Sequence, residues 1–174
     1  MAITRLGGAN AISGTIPAAN VDTLTSSNFP TGSVLQVKRK YTADSSHITT
    51  TSSSFVASGF QLAITPTVVG SLLIVHFNVS MADANGDNAG MQSKMYFKTG
   101  SGSFASMAGA DNYHIGYIKI NNNRYSPFSH SSNLTTTTTD AYTFEPYFKA
   151  QNSTQVRFAH NDSSIGMTIF EVKQ

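Results

Sequence analysis

Residues 72–81 read LLIVHFNVSM. Leu73, Val75, Phe77, Val79 and Met81 fall on one side of an extended chain, because successive side chains of a strand point to opposite faces. Leu72 and Ile74 fall on the other side, followed by His76, Asn78 and Ser80. One face is therefore apolar along its whole length and the other only at its start. That is the pattern of a sandwich strand whose outer side is partly covered by a neighbouring subunit or by another segment of the chain.

The same period extends outward in both directions. Upstream, residues 34–41 (VLQVKRKY) are rich in β formers and bounded by Pro30, Thr31 and Gly32. A polar Ser/Thr stretch follows to Ser54. Phe55 and Val56 then lead through Gly59 into Phe60, Leu62 and Ile64, and Pro66 ends that strand because proline cannot donate into a ladder. Downstream, residues 82–90 read as a loop and 91–99 as a strand with Met95 and Phe97 inward. Residues 113–120 form the next strand, and Asn121, Asn122 and Asn123 a turn. A weaker strand over 124–130 is interrupted by Pro127. The threonine run 135–139 suits an edge strand, and Pro146 within 142–148 implies an edge position or a bulge. Val156 and Phe158 share a face, and residues 166–173 close the series. Roughly eight to ten short strands without a helical pattern predict an all-β fold, an antiparallel β-sandwich of jelly-roll-like type.

Composition agrees. Of the 174 residues 40% are hydrophobic and only 11% charged, so the polar faces are built from hydroxyls and amides. The net charge of +2 is too small for a nucleic-acid footprint, and the one basic cluster, Lys38, Arg39 and Lys40, sits in a strand where lysines guard a sheet edge. No apolar run is long enough to span a bilayer or to form the core of a secretory signal, so membrane insertion is not expected. The absence of cysteine excludes disulfides and thiolate chemistry.

Residues 1–30 behave differently. Only Arg5 and Asp22 carry side-chain charge there, and glycines and prolines break any regular element. Yet Ile3, Leu6, Ile12, Ile16 and Val21 recur every few residues. Such a segment cannot bury these side chains against itself and needs another surface. The chain thus divides into an extended assembly arm, 1–30, and a sandwich head, 31–174.

Catalysis requires paired groups with tuned pKa values. The nine carboxylate side chains form no recognised catalytic motif, so no enzyme activity and no cofactor are expected. Asp83, Asn85 and Asp87 match the opening of a calcium loop, but the sixth position is Asn88 and the twelfth Lys94, where such loops need Gly and Glu. A plain turn is the better reading, and no metal is expected. Ring faces stack on sugars while amides and charged groups bind hydroxyls. Asp111, Asn112 and Tyr113, together with Arg124, Tyr125, Phe128 and His130, offer that mixture near loop ends and are the candidate receptor-binding residues. The competing reading places the tyrosines in a core or an interface.

The opening MAITRLGGANAISGTIPAANV resembles the N-terminal segments of tail-fibre and other virion proteins of tailed bacteriophages, especially marine and cyanobacterial phages. The stretches GSVLQV (32–37), SGFQLAITP (58–66), SLLIV (71–75) and MTIFEV (167–172) are similar to the β-rich heads of such proteins. The resemblance implies a homotrimer in a virion assembled in the host cytoplasm. It also implies attachment to other virion proteins through residues 1–30 and, in fibres, contact with a host-surface glycan. A capsid decoration protein fits the same residues. No functional residue carries over, because the binding loops of these heads differ.

Overall fold

The strand read at 72–81 forms and runs on. In a computed structural model, which describes residues 25–43, 48–84, 89–107, 116–120, 126–152, 154–158 and 164–174, it is β5, Leu72–Ala84. Around it lie β1 (Val34–Ala43), β2 (Ile48–Thr50), β3 (Val56–Ala57), β4 (Leu62–Ile64), β6 (Ala89–Thr99), β7 (Ala105–Ser106), β8 (Gly116–Ile120), β9 (Ser126–Thr135), β10 (Tyr142–Ala150), β11 (Val156–Phe158) and β12 (Ser164–Val172). Among the described residues a 3-10 turn, Ser26–Asn28, precedes them. Every ladder is antiparallel. Among the described residues no helix is long and apolar enough to cross a membrane.

The strands form two sheets. In the first, β5 has β9 on one side and both β12 and β11 on the other, and these pair in turn with β1 and β2. Its order across the face is β1/β2, β12/β11, β5, β9. In the second, β10 has β6 on one side and both β3 and β4 on the other, while β7 and β8 flank β6. Counting each interrupted strand once, the two sheets run 1-8-3-6 and 2-7-4-5. That order is a jelly roll, in which the first and last strands are neighbours. The sandwich expected from the alternation is the fold observed.

The core lies between the sheets. Leu73, Val75, Phe77 and Val79 of β5 meet Met91 and Met95 of β6, Phe144 and Phe148 of β10, and Met167 and Ile169 of β12, all at most 1% exposed. Phe77 lies between Phe60 and Phe128, with ring centroids 6.3 and 6.2 Å away. Met95 points fully inward, and Phe97 packs on Tyr142 and Phe144.

Several local expectations are corrected. The Ser/Thr stretch contains a strand, β2. Asp83 is not in a loop: it belongs to β5, opposite Arg157 of β11. The threonine run is not an edge strand. Only Thr135 ends β9, and Thr136 is buried in a turn where its hydroxyl donates to the Val68 carbonyl at 3.2 Å. β9 runs unbroken through Pro127, which sits where the β5 register shifts between Val79 and Ala82, so its missing N–H costs no ladder bond there. Pro146 lies in a central strand rather than at an edge. The irregularity expected of it is in the partner: β3 and β4 break apart opposite Glu145 and Pro146, and residues 58–61 arch over the gap.

Candidate functional site

The sandwich presents two outer faces, and alternation assigns residues to each. On the first sheet, cross-strand pairing places Val34, Val172 and Leu72 in one row and Val37, Phe170 and Ile74 in the next. Val34 and Val37 are 52% and 50% exposed, and Tyr41, further along β1, is 55% exposed. His76 meets the Phe170 ring edge-on at 5.7 Å. The outer apolar patch read at Leu72 and Ile74 therefore continues across three strands. Leu72, Ile74, Phe170 and Val172 are half-buried within it, and Val34 and Val37 form its open end. Contiguous apolar patches left open to solvent mark contact surfaces.

The chain enters the head at the end of this strip. Gly32 N–H donates to the Lys173 carbonyl at 2.8 Å, and Lys173 N–H to the Ser33 carbonyl at 2.9 Å. The Lys173 ammonium reaches back to the carbonyls of Ser27 and Phe29. These bonds place residues 27–33 beside Val34 and Val172. The arm residues Ile3, Leu6, Ile12, Ile16 and Val21 lie outside the described residues.

The edge strand β1 carries the basic cluster as expected. Lys38 and Lys40 pair with the inward-facing Ile169 and Met167, while Arg39 turns to the outer face and lies 5.6 Å from the Tyr41 ring. Lys40 covers the Phe60 ring at 4.8 Å and donates to the Gln61 carbonyl.

The second outer face is chemically different. Lys94, Tyr96 and Lys98 of β6 alternate with buried or core-packed Met95 and Phe97, and Tyr147 and Lys149 of β10 flank buried Phe148. Tyr96 and Tyr147 stack with centroids 4.0 Å apart, and Phe104 leans on Tyr147 at 6.0 Å. Lys98 sits over Phe104 at 5.1 Å, and Lys94 and Lys149 share Phe55 at 5.0 and 4.9 Å. Contacts of this type contribute about 0.5–1 kcal/mol each at exposed sites. The one carboxylate in the patch, Glu145, is 1% exposed. Its oxygens accept the Gly59 N–H at 2.6 Å and the Gln61 side-chain amide at 2.7 Å. Burial first, then the neighbouring Glu145 charge and Tyr96, hold the Tyr147 phenol above its ordinary value of 10.0.

The candidate receptor residues are not brought together on a described face. Asp111, Asn112, Tyr113, Arg124 and Tyr125 lie outside the described residues. Phe128 is a core residue, 6% exposed against Phe77, and His130 lies on the same inward side of β9, opposite Phe77. Both even-numbered residues point into the sandwich, so neither belongs to an outer binding surface. For the calcium reading, Asp83 is a strand residue, and Asn85 and Asp87 lie outside the described residues. Among the described residues no group of three or more His, Asp or Glu is placed to hold a metal ion. The lysine–aromatic face went unread in the sequence. Its signal was there in K-M-Y-F-K, residues 94–98, where polar and apolar positions alternate.

No protein-family model matches the chain, and no curated protein matches it. Among solved structures it is similar to a chain of infectious bursal disease virus, Gx strain, at 13% identity and a TM-score of 0.49, covering 79% of this chain and 32% of that one. It is also similar to the VP2 subviral particle of infectious bursal disease virus, at 12% identity and a TM-score of 0.48, covering 81% and 34%. The chain thus spans about a third of the length of either neighbour.

Proposed function

We propose that the chain is a virion structural protein of a tailed bacteriophage: a homotrimeric tail-fibre or tail-tip subunit anchored by residues 1–30, with its head turned to the host surface. Its role is attachment without catalysis. The observation that supports this reading is where residues 27–33 lead into the sandwich. The chain joins the head beside the apolar strip of exposed Val34 and Val37 and half-buried Phe170 and Ile74. Burying that strip between three heads, with arms gripping a neighbour, removes it from water. The lysine–aromatic face is on the opposite side of the sandwich and stays free, which favours a tail role over simple capsid cover. The resemblance of the opening segment to phage virion proteins points the same way.

Two measurements test it. The mass of the purified chain in solution should be that of a trimer, and Val37→Asp should give a folded monomer; a monomeric wild-type chain at micromolar concentration refutes the trimer. Labelled antibody on intact virions should mark the tail. Label spread over capsid faces would make the protein a decoration subunit, and virions without label would reject the reading altogether.

A further inference from the structure

The outer face of the second sheet alternates charge and rings. Lys94 and Lys98 stand about 13 Å apart along β6, at roughly 3.3 Å per residue. Between them lies the Tyr96–Tyr147 stack, extended by Phe104. Lys149 adds a third ammonium beside Lys94, over the same Phe55 ring. No ion pair engages these lysines among the described residues. Glu145, the carboxylate that would repel an anion here, is buried with both oxygens occupied.

We propose that this face binds an acidic polysaccharide, the Tyr96–Tyr147–Phe104 platform taking sugar rings and Lys94, Lys98 and Lys149 pairing with their carboxylate or sulfate groups. The assignment rests on the reading that this sheet faces away from the virion. Ring faces suit the C–H faces of sugars, and an open sheet face suits a polymer laid across it. A neutral glycan would leave three ammonium groups without a partner. A nucleic acid calls for many phosphate contacts, and this face supplies three lysines in a chain of net charge +2. Each lysine is already held over a ring, so part of the entropy of ordering it on a ligand is spent in the free protein.

The full-length chain is titrated with polygalacturonate, dextran sulfate, unmodified dextran and a single-stranded oligonucleotide. Both acidic polymers should bind, less tightly as salt rises, and unmodified dextran should not. K94Q/K98Q/K149Q should weaken that binding at least about tenfold, and Tyr96→Leu about threefold with charge unchanged. K38Q/R39Q, on the other sheet, should leave it unchanged. If the triple variant fails to fold, Lys98→Gln, whose ammonium covers only Phe104, should still lose about threefold. Absence of binding to either acidic polymer overturns the site. So does loss of binding in K38Q/R39Q, indifference to Tyr96→Leu, which would mean bare ion exchange, or oligonucleotide binding of equal strength. These arms use the isolated chain, so their failure removes the ligand while leaving the trimer and the virion location to their own tests.

Discussion

Glu171 and Thr67 lie 104 residues apart and are joined by three hydrogen bonds. The Thr67 N–H donates to both carboxylate oxygens, at 2.8 and 3.0 Å, and its hydroxyl donates at 3.0 Å. The Val68 N–H and the Gln36 side-chain amide add two more donors, at 3.3 and 2.7 Å. Glu145 does the same for the arch between β3 and β4, holding Gly59 and Gln61. The arch between β3 and β4 and the connection from β4 in one sheet to β5 in the other are thus each held by a buried carboxylate, Glu145 of the second sheet and Glu171 of the first.

Glu171→Ala should destabilise the head by about 3 kcal/mol, because it leaves several donors unpaired around a buried site. Glu171→Gln should recover part of the loss, since its amide oxygen still accepts. Chemical denaturation measures both; an Ala variant within about 1 kcal/mol of wild type would contradict the clasp.

Gly59 adopts φ +75°, and a Cβ built there meets nothing within 4 Å. The cost of Gly59→Ala is then purely conformational, about 1–2 kcal/mol. Combining it with Glu145→Gln should give less than the sum of the two losses, because both act on one hydrogen bond. Strict additivity in a double-mutant cycle would separate the turn from the carboxylate.

Phe128→Ala should cost about 3–5 kcal/mol, as expected for an aromatic ring removed from a packed core. A Phe128→Ala protein with wild-type stability would return this residue to the surface.

That correction shows how the sequence is to be read. The alternation at 72–81 needs only the period of two, and it yielded both the sandwich and the outer patch at Leu72 and Ile74. Phe128 misled because Pro127 was taken as a break. A proline beside a ladder shift lets the strand continue, and continuation puts Phe128 inside. Pro146 misled for the matching reason: its irregularity is absorbed by the partner strand, which local sequence does not reveal. The lysine–aromatic face depends on two strands meeting, Tyr96 from β6 and Tyr147 from β10, and no local window contains both.

Alkaline titration separates two tyrosines. Burial, Glu145 and Tyr96 raise Tyr147 above 10.0. The stability it contributes is complete below pH 10.0 and is lost as pH rises through its higher folded value. Burial also pushes Tyr142 upward, but hydrogen bonds from Thr137 and Thr138 outweigh it and the net direction is down. Its contribution is present above pH 10.0 and is lost as pH falls through the folded value. Tyrosinate absorbance should show one group ionising early and one late; Tyr142→Phe should remove the early one and Tyr147→Phe the late one. A Tyr147→Phe protein whose alkaline unfolding is unchanged would count against this assignment.

The pairing of β1 with β12 has a consequence for synthesis. Val34 and Val37 gain their cross-strand neighbours only when Phe170 and Val172, more than 130 residues later, have been made. A nascent chain therefore displays no finished strip until β12 has paired with β1 and β5. Such long-range closure also makes folding slow. Any partner that reads this strip therefore meets it only on a chain whose β1 and β12 have already paired.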